Sequence, residues 1–303
     1  MELVFENVNM EALDLDRISR GVARVAQQVP RPDDVTVVFT GDFEQSIRSR
    51  SIEQPEYTAD RLGGMGFASA MTLAGEGPEC TIVASAAFFV VGEEIEQDLD
   101  GVRLLGHEGW HAAIHQRGEE TGDVRLRRGL GDTAIGFLHA TAGVAIGEYR
   151  VERSLCNEHW WPLDTYLTVL SSVLEGVRSR LRAAIVPAPD LPDKVWTVVT
   201  QDLHQLLTHL SYLAGQELAS GRTRLPTSIS QSDDWNVVVG DYWGRLLDLL
   251  DTIAPADVPT GLSRLDALTA SLAETVPTWL ARSGLAIADT ESGIYVSHSG
   301  LEP

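Results

Sequence analysis

The sequence predicts an α+β protein, with strands in an N-terminal half and an all-helical C-terminal half. Two observations lead to this prediction. Residues 35–40 (VTVVFT) and 80–91 (CTIVASAAFFVV) are rich in the β-branched and aromatic residues that strands favour, and both lie early in the chain. Beyond Pro162, apolar residues instead recur every three or four positions, which indicates helices. We therefore expect two domains, one spanning residues 1–162 and the other 163–303.

Helices are predicted around the strands of the first half. Residues 11–28 place apolar side chains at helical spacing, and Pro30 ends that helix. The pattern is helical again from residue 98 to Gly118, and a long apolar helix follows over residues 132–156. The first half therefore combines a small sheet with three helices.

The second half shows one amphipathic stripe after another. Helices are predicted at residues 163–181, 195–218, 236–253 and 262–280, with a polar loop at 219–235. Pro277 is expected to disturb the last helix near its end. These segments contain no strand signal, so this half is predicted to be helical throughout.

Composition limits the classes of partner and compartment. The 44 acidic residues outnumber the 23 basic ones and give a net charge of −21, which repels nucleic-acid phosphates and anionic membranes. The longest apolar run, residues 82–91, is about half the roughly 18 residues that a membrane span needs. The acidic N-terminus does not resemble a signal peptide, and two cysteines make no disulfide framework. We expect a cytoplasmic protein that binds neither nucleic acid nor membrane.

The strongest chemical signal is an H-E-x-x-H motif in the helix predicted from residue 98. His107 and His111 are four residues apart, so both side chains lie on one helix face, one turn from each other. Two imidazoles in this arrangement can bind one metal ion at about 2 Å. Glu108 can reach a water on that ion and act as a general base.

A catalytic zinc site needs a third protein ligand, for which Glu148 is the preferred candidate. Its helix can pack antiparallel to the motif helix. Glu152 lies one turn later on the same face, where a carboxylate can accept the outer N–H of a ligating histidine. In the competing interpretation, both glutamates pair with Arg150 or Arg153 on a solvated face.

Two other histidines lie near enough in sequence to compete with Glu148 as the third ligand. His139 is an alternative third ligand on the same helix, about 13 Å before Glu148 along the axis, so a straight helix can bring only one of them to the ion. His115 follows His107 by eight residues, about 12 Å along its helix, which is too far to share the ion.

The stretches LLGHEGWHAAIHQ and EYRVERSLCNEHWWP resemble the gluzincin-type HExxH zincin metallopeptidases, in particular the ImmA/IrrE-like group. The resemblance covers about residues 30–162, although glycine falls at position 109 instead of 110. It implies a zincin-like domain with Zn²⁺ bound by His107, His111 and Glu148, and with Glu108 as the catalytic base.

The function expected from the motif and this resemblance is hydrolysis of a peptide or protein substrate by a zinc metallopeptidase. A strand within residues 82–91 is expected to pair with the extended peptide. Two alternatives stay open. One is a non-haem iron HExxH oxygenase that acts on a peptide and uses His139 as a ligand. The other is a non-catalytic interaction protein with a structural metal site.

Overall fold

The computed structural model of the protein describes residues 1–51, 69–91, 95–160, 170–179, 192–221, 225–282, 285–290 and 293–298. The chain forms two compact units. Unit 1 comprises Met1–Glu119 and Asn157–Pro162, and unit 2 comprises Glu120–Cys156 and Leu163–Pro303. The boundary predicted at residue 162 closes the second segment of unit 1, whereas residues 120–156 group with the C-terminal part of the chain.

Unit 1 contains a four-stranded sheet with the order β1-β2-β4-β3. β1 (Glu2–Glu6) and β4 (Cys80–Ser85) flank β2 (Val35–Thr40) in parallel, and β3 (Ala70–Ala74) pairs antiparallel with β4. The strands predicted at residues 35–40 and 80–91 are confirmed, although the second ends at Ser85, where a 3-10 turn begins. The sequence does not predict β1, because only three apolar residues separate its two glutamates.

Side chains alternate between the two faces of this sheet. One face packs against α2 (Phe43–Arg50) through an apolar cluster consisting of Val38, Phe43, Ile47 and Val83, with Val4, Met71 and Leu73 against it. On the opposite face, Phe39 stacks on Phe5 with ring centroids 5.5 Å apart and meets Phe89 edge-on at 5.0 Å. Thr72 alternates with its neighbours in β3 and therefore lies on this second face.

The motif helix, α3 (Ile95–Gln116), packs along α1 (Leu15–Gln28). These helices confirm the predictions for residues 11–28 and 98–117. Glycines allow their close approach: a Cβ on Gly21 would meet Leu105 Cδ1 at 2.5 Å. A Cβ on Gly109 would lie 3.3 Å from Val25 Cα and would collide with Gln28 Oε1. The close packing of α3 on α1 therefore explains why a glycine lies inside the HExxH motif.

Unit 2 is mostly helical. Its helices are α4 (Val124–Arg127), α5 (Ala134–Asn157), α6 (170–179), α7 (Pro192–Ala219), α8 (Thr227–Ser230), α9 (Asp233–Val238), α10 (Tyr242–Asp251) and α11 (Leu262–Arg282). The predicted stripe at residues 163–181 lies partly outside the described residues. Pro277 lies inside α11 and does not end it, and α8 lies in the segment predicted to be a loop.

The prediction of an all-helical C-terminal half is wrong. β5 (Leu285–Thr290) and β6 (Gly293–His298) form an antiparallel two-stranded sheet. A hairpin of this size is marginal by itself, and it is stabilised here because β5 packs on α11 and β6 on α7. Those contacts join residues far apart in sequence, so the local pattern carries little sign of them.

Two features of unit 2 support the rest of its structure. Asp289 in β5 accepts a hydrogen bond from the N–H of Ala134 at 2.7 Å and so caps the start of α5. α7 is buried at every position from Leu206 to Glu217 except Tyr212, so the polar side chains in this stretch need partners inside the protein.

Among the described helices of the whole chain, none has the length and apolar character that crossing a membrane requires.

Candidate metal centre

His107 and His111 occupy successive turns on one face of α3, as their spacing predicts. Their Nε2 atoms lie 3.2 Å apart, and their ring centroids are separated by 4.9 Å. Both side chains are partly exposed. Two ring nitrogens at this distance share either one proton or one cation, since two lone pairs facing each other would otherwise repel.

A carboxylate joins the histidine pair. One ligand atom from each of His107, His111 and Glu148 lies within 4.8 Å of the other two. Tetrahedral zinc binds such atoms at about 2.0–2.2 Å, so its ligand atoms lie about 3.3–3.6 Å from one another. The 3.2 Å between the imidazole nitrogens matches the edge of that tetrahedron. The His–His–Glu group can therefore hold a metal ion.

Glu108 is buried, with 6% of its surface exposed. The hydroxyl of Thr72 lies 2.8 Å from Glu108 Oε2 and 3.0 Å from the backbone oxygen of Glu108. Both oxygens are acceptors, and the threonine has one proton to donate. Sequence reasoning missed Thr72, because a single threonine in an apolar strand gives no sign of a partner in a helix 36 residues later.

Glu152 lies in the interior of unit 2, one turn after Glu148, and only 2% of its surface is exposed. Its Oε1 accepts a hydrogen bond from Gln216 Nε2 of α7 at 3.2 Å and lies 3.8 Å from Cys156 Sγ. Gly215 makes room for this contact, because a Cβ there would meet Glu152 Cβ at 3.1 Å. The predicted role of Glu152, which is to orient a ligating histidine, stays a prediction.

The arginines of α5 do not define a solvated face around Glu152. Arg150 is fully buried and donates to the backbone oxygens of Ala254 and Val258, at 3.1 and 3.3 Å. Arg153 pairs with Asp251 at 3.2 Å. Glu152 is therefore not on a solvated face, because the rest of unit 2 covers this part of α5. Pairing of the two glutamates with these arginines stays a hypothesis.

The remaining candidate histidines lie elsewhere. His139 is buried and is not part of the His–His–Glu group. Burial, and then the nearby Arg128, lowers the pKa of His139, while Glu274 acts in the opposite direction. His115 also lies outside the group, and its Nε2 is 3.0 Å from the backbone oxygen of Glu79.

Cys80 and Cys156 are both buried, and no disulfide joins them. Comparisons of the chain with protein-family models, with curated proteins and with solved structures found no match. The site and the fold around it therefore define a mixed α and β protein, mostly helical, whose His–His–Glu group can hold a metal ion.

Proposed function

We propose that the protein is a zinc-dependent metallopeptidase, with His107, His111 and Glu148 as metal ligands and Glu108 as general base. The observation that supports this most strongly is the convergence of one ligand atom from each of these three residues within 4.8 Å. Two imidazoles and one carboxylate suit zinc, and three protein ligands leave a position for water or substrate, as in catalytic zinc sites.

A zinc ion bound here would polarise a peptide carbonyl and lower the pKa of a coordinated water to about 7. Glu108 follows the first histidine directly, which lets its carboxylate act beside the ligands. It accepts a proton from the attacking water and passes that proton to the amine nitrogen as the peptide C–N bond breaks.

The sheet topology changes the prediction that a strand within residues 82–91 pairs with the substrate. β4 cannot take an extended peptide along its side, because β2 and β3 already pair with it over Cys80–Ser85. Among the described strands, β3 ends the sheet on this side, and it packs against α3. We therefore assign the extended substrate to the outer edge of β3, where backbone groups can bind it by strand addition.

The test is cleavage of a mixture of synthetic peptides by the zinc-loaded full chain, followed by mass spectrometry of new termini. Glu108→Gln keeps both histidines and removes the base, so cleavage should fall by a factor of about a hundred or more while zinc content stays the same. Equal cleavage by the variant would contradict the assigned base. Loss of zinc would show that Glu108 has a ligand or structural role instead.

An iron enzyme is the second candidate, because two histidines and one carboxylate also bind ferrous iron in oxygenases. His139, the third ligand in the iron hypothesis, does not belong to the His–His–Glu group. Incubating the iron-loaded protein with peptides, 2-oxoglutarate and oxygen separates the two candidates. An oxygenase adds oxygen atoms to peptides, whereas a peptidase creates new termini.

A structural metal site in an interaction protein is less well supported. Structural zinc sites are closed by four protein ligands, and the group found among the described residues has three members. Retention of the protein's cellular role after Glu108→Gln would favour this third interpretation.

A further inference from the structure

We propose that Thr72 is a positioning residue that holds the carboxylate of the general base Glu108. This inference rests on the proposed function, because it assigns the support of the base that the reaction requires. The observation behind it is the 2.8 Å separation between Thr72 Oγ1 and Glu108 Oε2, which joins the sheet of unit 1 to the HExxH helix.

The strand presents Thr72 to the helix for a structural reason. Met71 and Leu73 pack into the apolar cluster on the α2 face, so the residue between them lies on the other face of the sheet. There Thr72 stands opposite Ile82 of β4 in the antiparallel ladder. Because its backbone is fixed by that ladder and its side chain is β-branched, its hydroxyl has few orientations to choose from.

The hydrogen bond leaves the carboxylate ready for proton transfer. Thr72 donates to Oε2, and no other residue in the described part of the chain donates to Oε1. A carboxylate held by one oxygen keeps the other in a fixed direction for a water molecule. This hydrogen bond restricts the carboxylate to few conformations before the reaction begins. Less conformational entropy is therefore lost at each proton transfer.

The same hydroxyl also lies 3.0 Å from the backbone oxygen of Glu108, so a simpler role in anchoring the helix must be separated from the proposed one. A hydrogen bond to an ionised carboxylate is stronger than one to a neutral carbonyl. The side-chain contact is also the shorter of the two. We therefore assign the proton of Thr72 to the carboxylate.

The first experiment needs no activity and uses the metal-free full chain. Urea unfolding is measured for Thr72→Val, for Glu108→Ala and for the double variant. If Thr72 donates to the carboxylate, the two substitutions should be coupled by about tenfold or more in the unfolding equilibrium constant. Thr81→Val is the matched control, since Thr81 lies beside Leu73 on the α2 face, and it should show no coupling with Glu108→Ala.

The backbone contact survives Glu108→Ala, so additive effects of the two substitutions would show that Thr72 only anchors the helix. That result would overturn the proposal. Thr72→Ser retains the hydroxyl and should restore most of the stability lost in Thr72→Val. If Thr72→Ser is coupled to Glu108→Ala as strongly as Thr72→Val is, the coupling does not come from the hydroxyl and the proposal is again wrong.

The second experiment uses the zinc-loaded protein and the peptide mixture. Thr72→Val should lower kcat about tenfold or more with KM and zinc content unchanged, and Thr72→Ser should restore kcat. A loss of zinc, or a change confined to KM, would contradict positioning of the base. If the unsubstituted protein cleaves no peptide, the proposed function fails, and the unfolding cycle alone still decides whether Thr72 holds the Glu108 carboxylate.

Discussion

His107 Nε2 and His111 Nε2 face each other 3.2 Å apart across one turn of α3. This separation is close to the spacing of two ligand atoms on a tetrahedral zinc ion, about 3.3 Å for bonds of about 2.0 Å. Helix geometry alone accounts for the pairing, because residues four apart lie on one face. Glu148 completes this group. Substitutions of these three residues should therefore change the metal affinity of the site before any other property.

Removing any one ligand should greatly weaken zinc binding. His107→Ala, His111→Ala and Glu148→Ala each delete one of the three proposed ligands. In competition with a fluorescent chelator, zinc affinity should therefore fall by about a hundredfold or more. His115→Ala is the matched control one turn beyond His111, since its ring contacts the Glu79 carbonyl. If its effect equals that of Glu148→Ala, the ligand assignment is wrong.

His139→Ala is the variant that separates the two candidate third ligands. We expect it to leave zinc content unchanged, because His139 lies outside the group that includes Glu148. Metal analysis of both variants after dialysis decides the question. Loss of the ion in His139→Ala, with retention in Glu148→Ala, would make the iron-type alternative the leading hypothesis.

The contact between Glu152 and Gln216 should matter for stability as well as for metal. Gln216→Met removes a donor to a buried carboxylate and should lower the free energy of unfolding by about 1.5–3 kcal/mol. The exposed Gln231→Met is the control, for which a change below about 0.5 kcal/mol is expected. Urea denaturation measures both, and equal effects would show that the contact contributes nothing.

Glu152 is also expected to strengthen metal binding indirectly, by orienting a ligating histidine. Glu152→Ala should lower zinc affinity roughly 10- to 100-fold, less than Glu148→Ala does, as is usual when a group that orients a ligand is lost. Competition with the same chelator ranks the two variants. A larger loss for Glu152→Ala would make Glu152 the ligand.

Gly109 should resist substitution although it lies inside a helix. Gly109→Ala places a Cβ against Gln28 Oε1 and 3.3 Å from Val25 Cα, so crowding between α1 and α3 should cost about 1–3 kcal/mol of unfolding free energy. Gly244→Ala is the control, since no atom lies within 4 Å of its added Cβ. That variant should be tolerated or slightly stabilised. Thermal denaturation of the two variants would contradict this account if Gly109→Ala were equally well tolerated.

His139 should make the stability of the protein sensitive to mild acid. Burial, followed by Arg128, lowers its pKa in the folded protein, and Glu274 only partly opposes this. In the unfolded chain the pKa of the same histidine is about 6.5. Between the two pKa values the unfolded state binds more protons, so stability is lost as the pH falls below about 6.5.

His139→Gln should therefore lose less unfolding free energy than the unsubstituted protein between pH 7.5 and 5.5. Urea titrations of the metal-free proteins at several pH values measure the difference. Parallel pH dependences for the two proteins would show that His139 contributes nothing to this sensitivity.

Local sequence patterns predict the elements that carry the site. The spacing of His107 and His111 places them on one helix face. The strands predicted at residues 35–40 and 80–91 are present as β2 and, as far as Ser85, as β4. Glu148 could be proposed because a glutamate on a second apolar helix needs a cation or a partner. In these cases the information lies within a few residues of sequence.

Other features depend on contacts that no local pattern contains. Thr72 meets Glu108 and Gln216 meets Glu152 only after the chain has folded, across 36 and 64 positions. The β5–β6 hairpin is likewise stabilised by packing on helices far away in sequence. A single sequence offers no signal for such pairs, because neither residue has an unusual neighbourhood of its own.

The most direct test of the central claim is anomalous X-ray diffraction from crystals of the full chain purified without chelator. Data collected on both sides of the zinc absorption edge identify the metal and its ligands in one experiment. The proposed function predicts one zinc ion per chain, about 2.0–2.2 Å from His107 Nε2, His111 Nε2 and a carboxylate oxygen of Glu148. An iron signal at this position, or no anomalous peak beside these three residues, would contradict it.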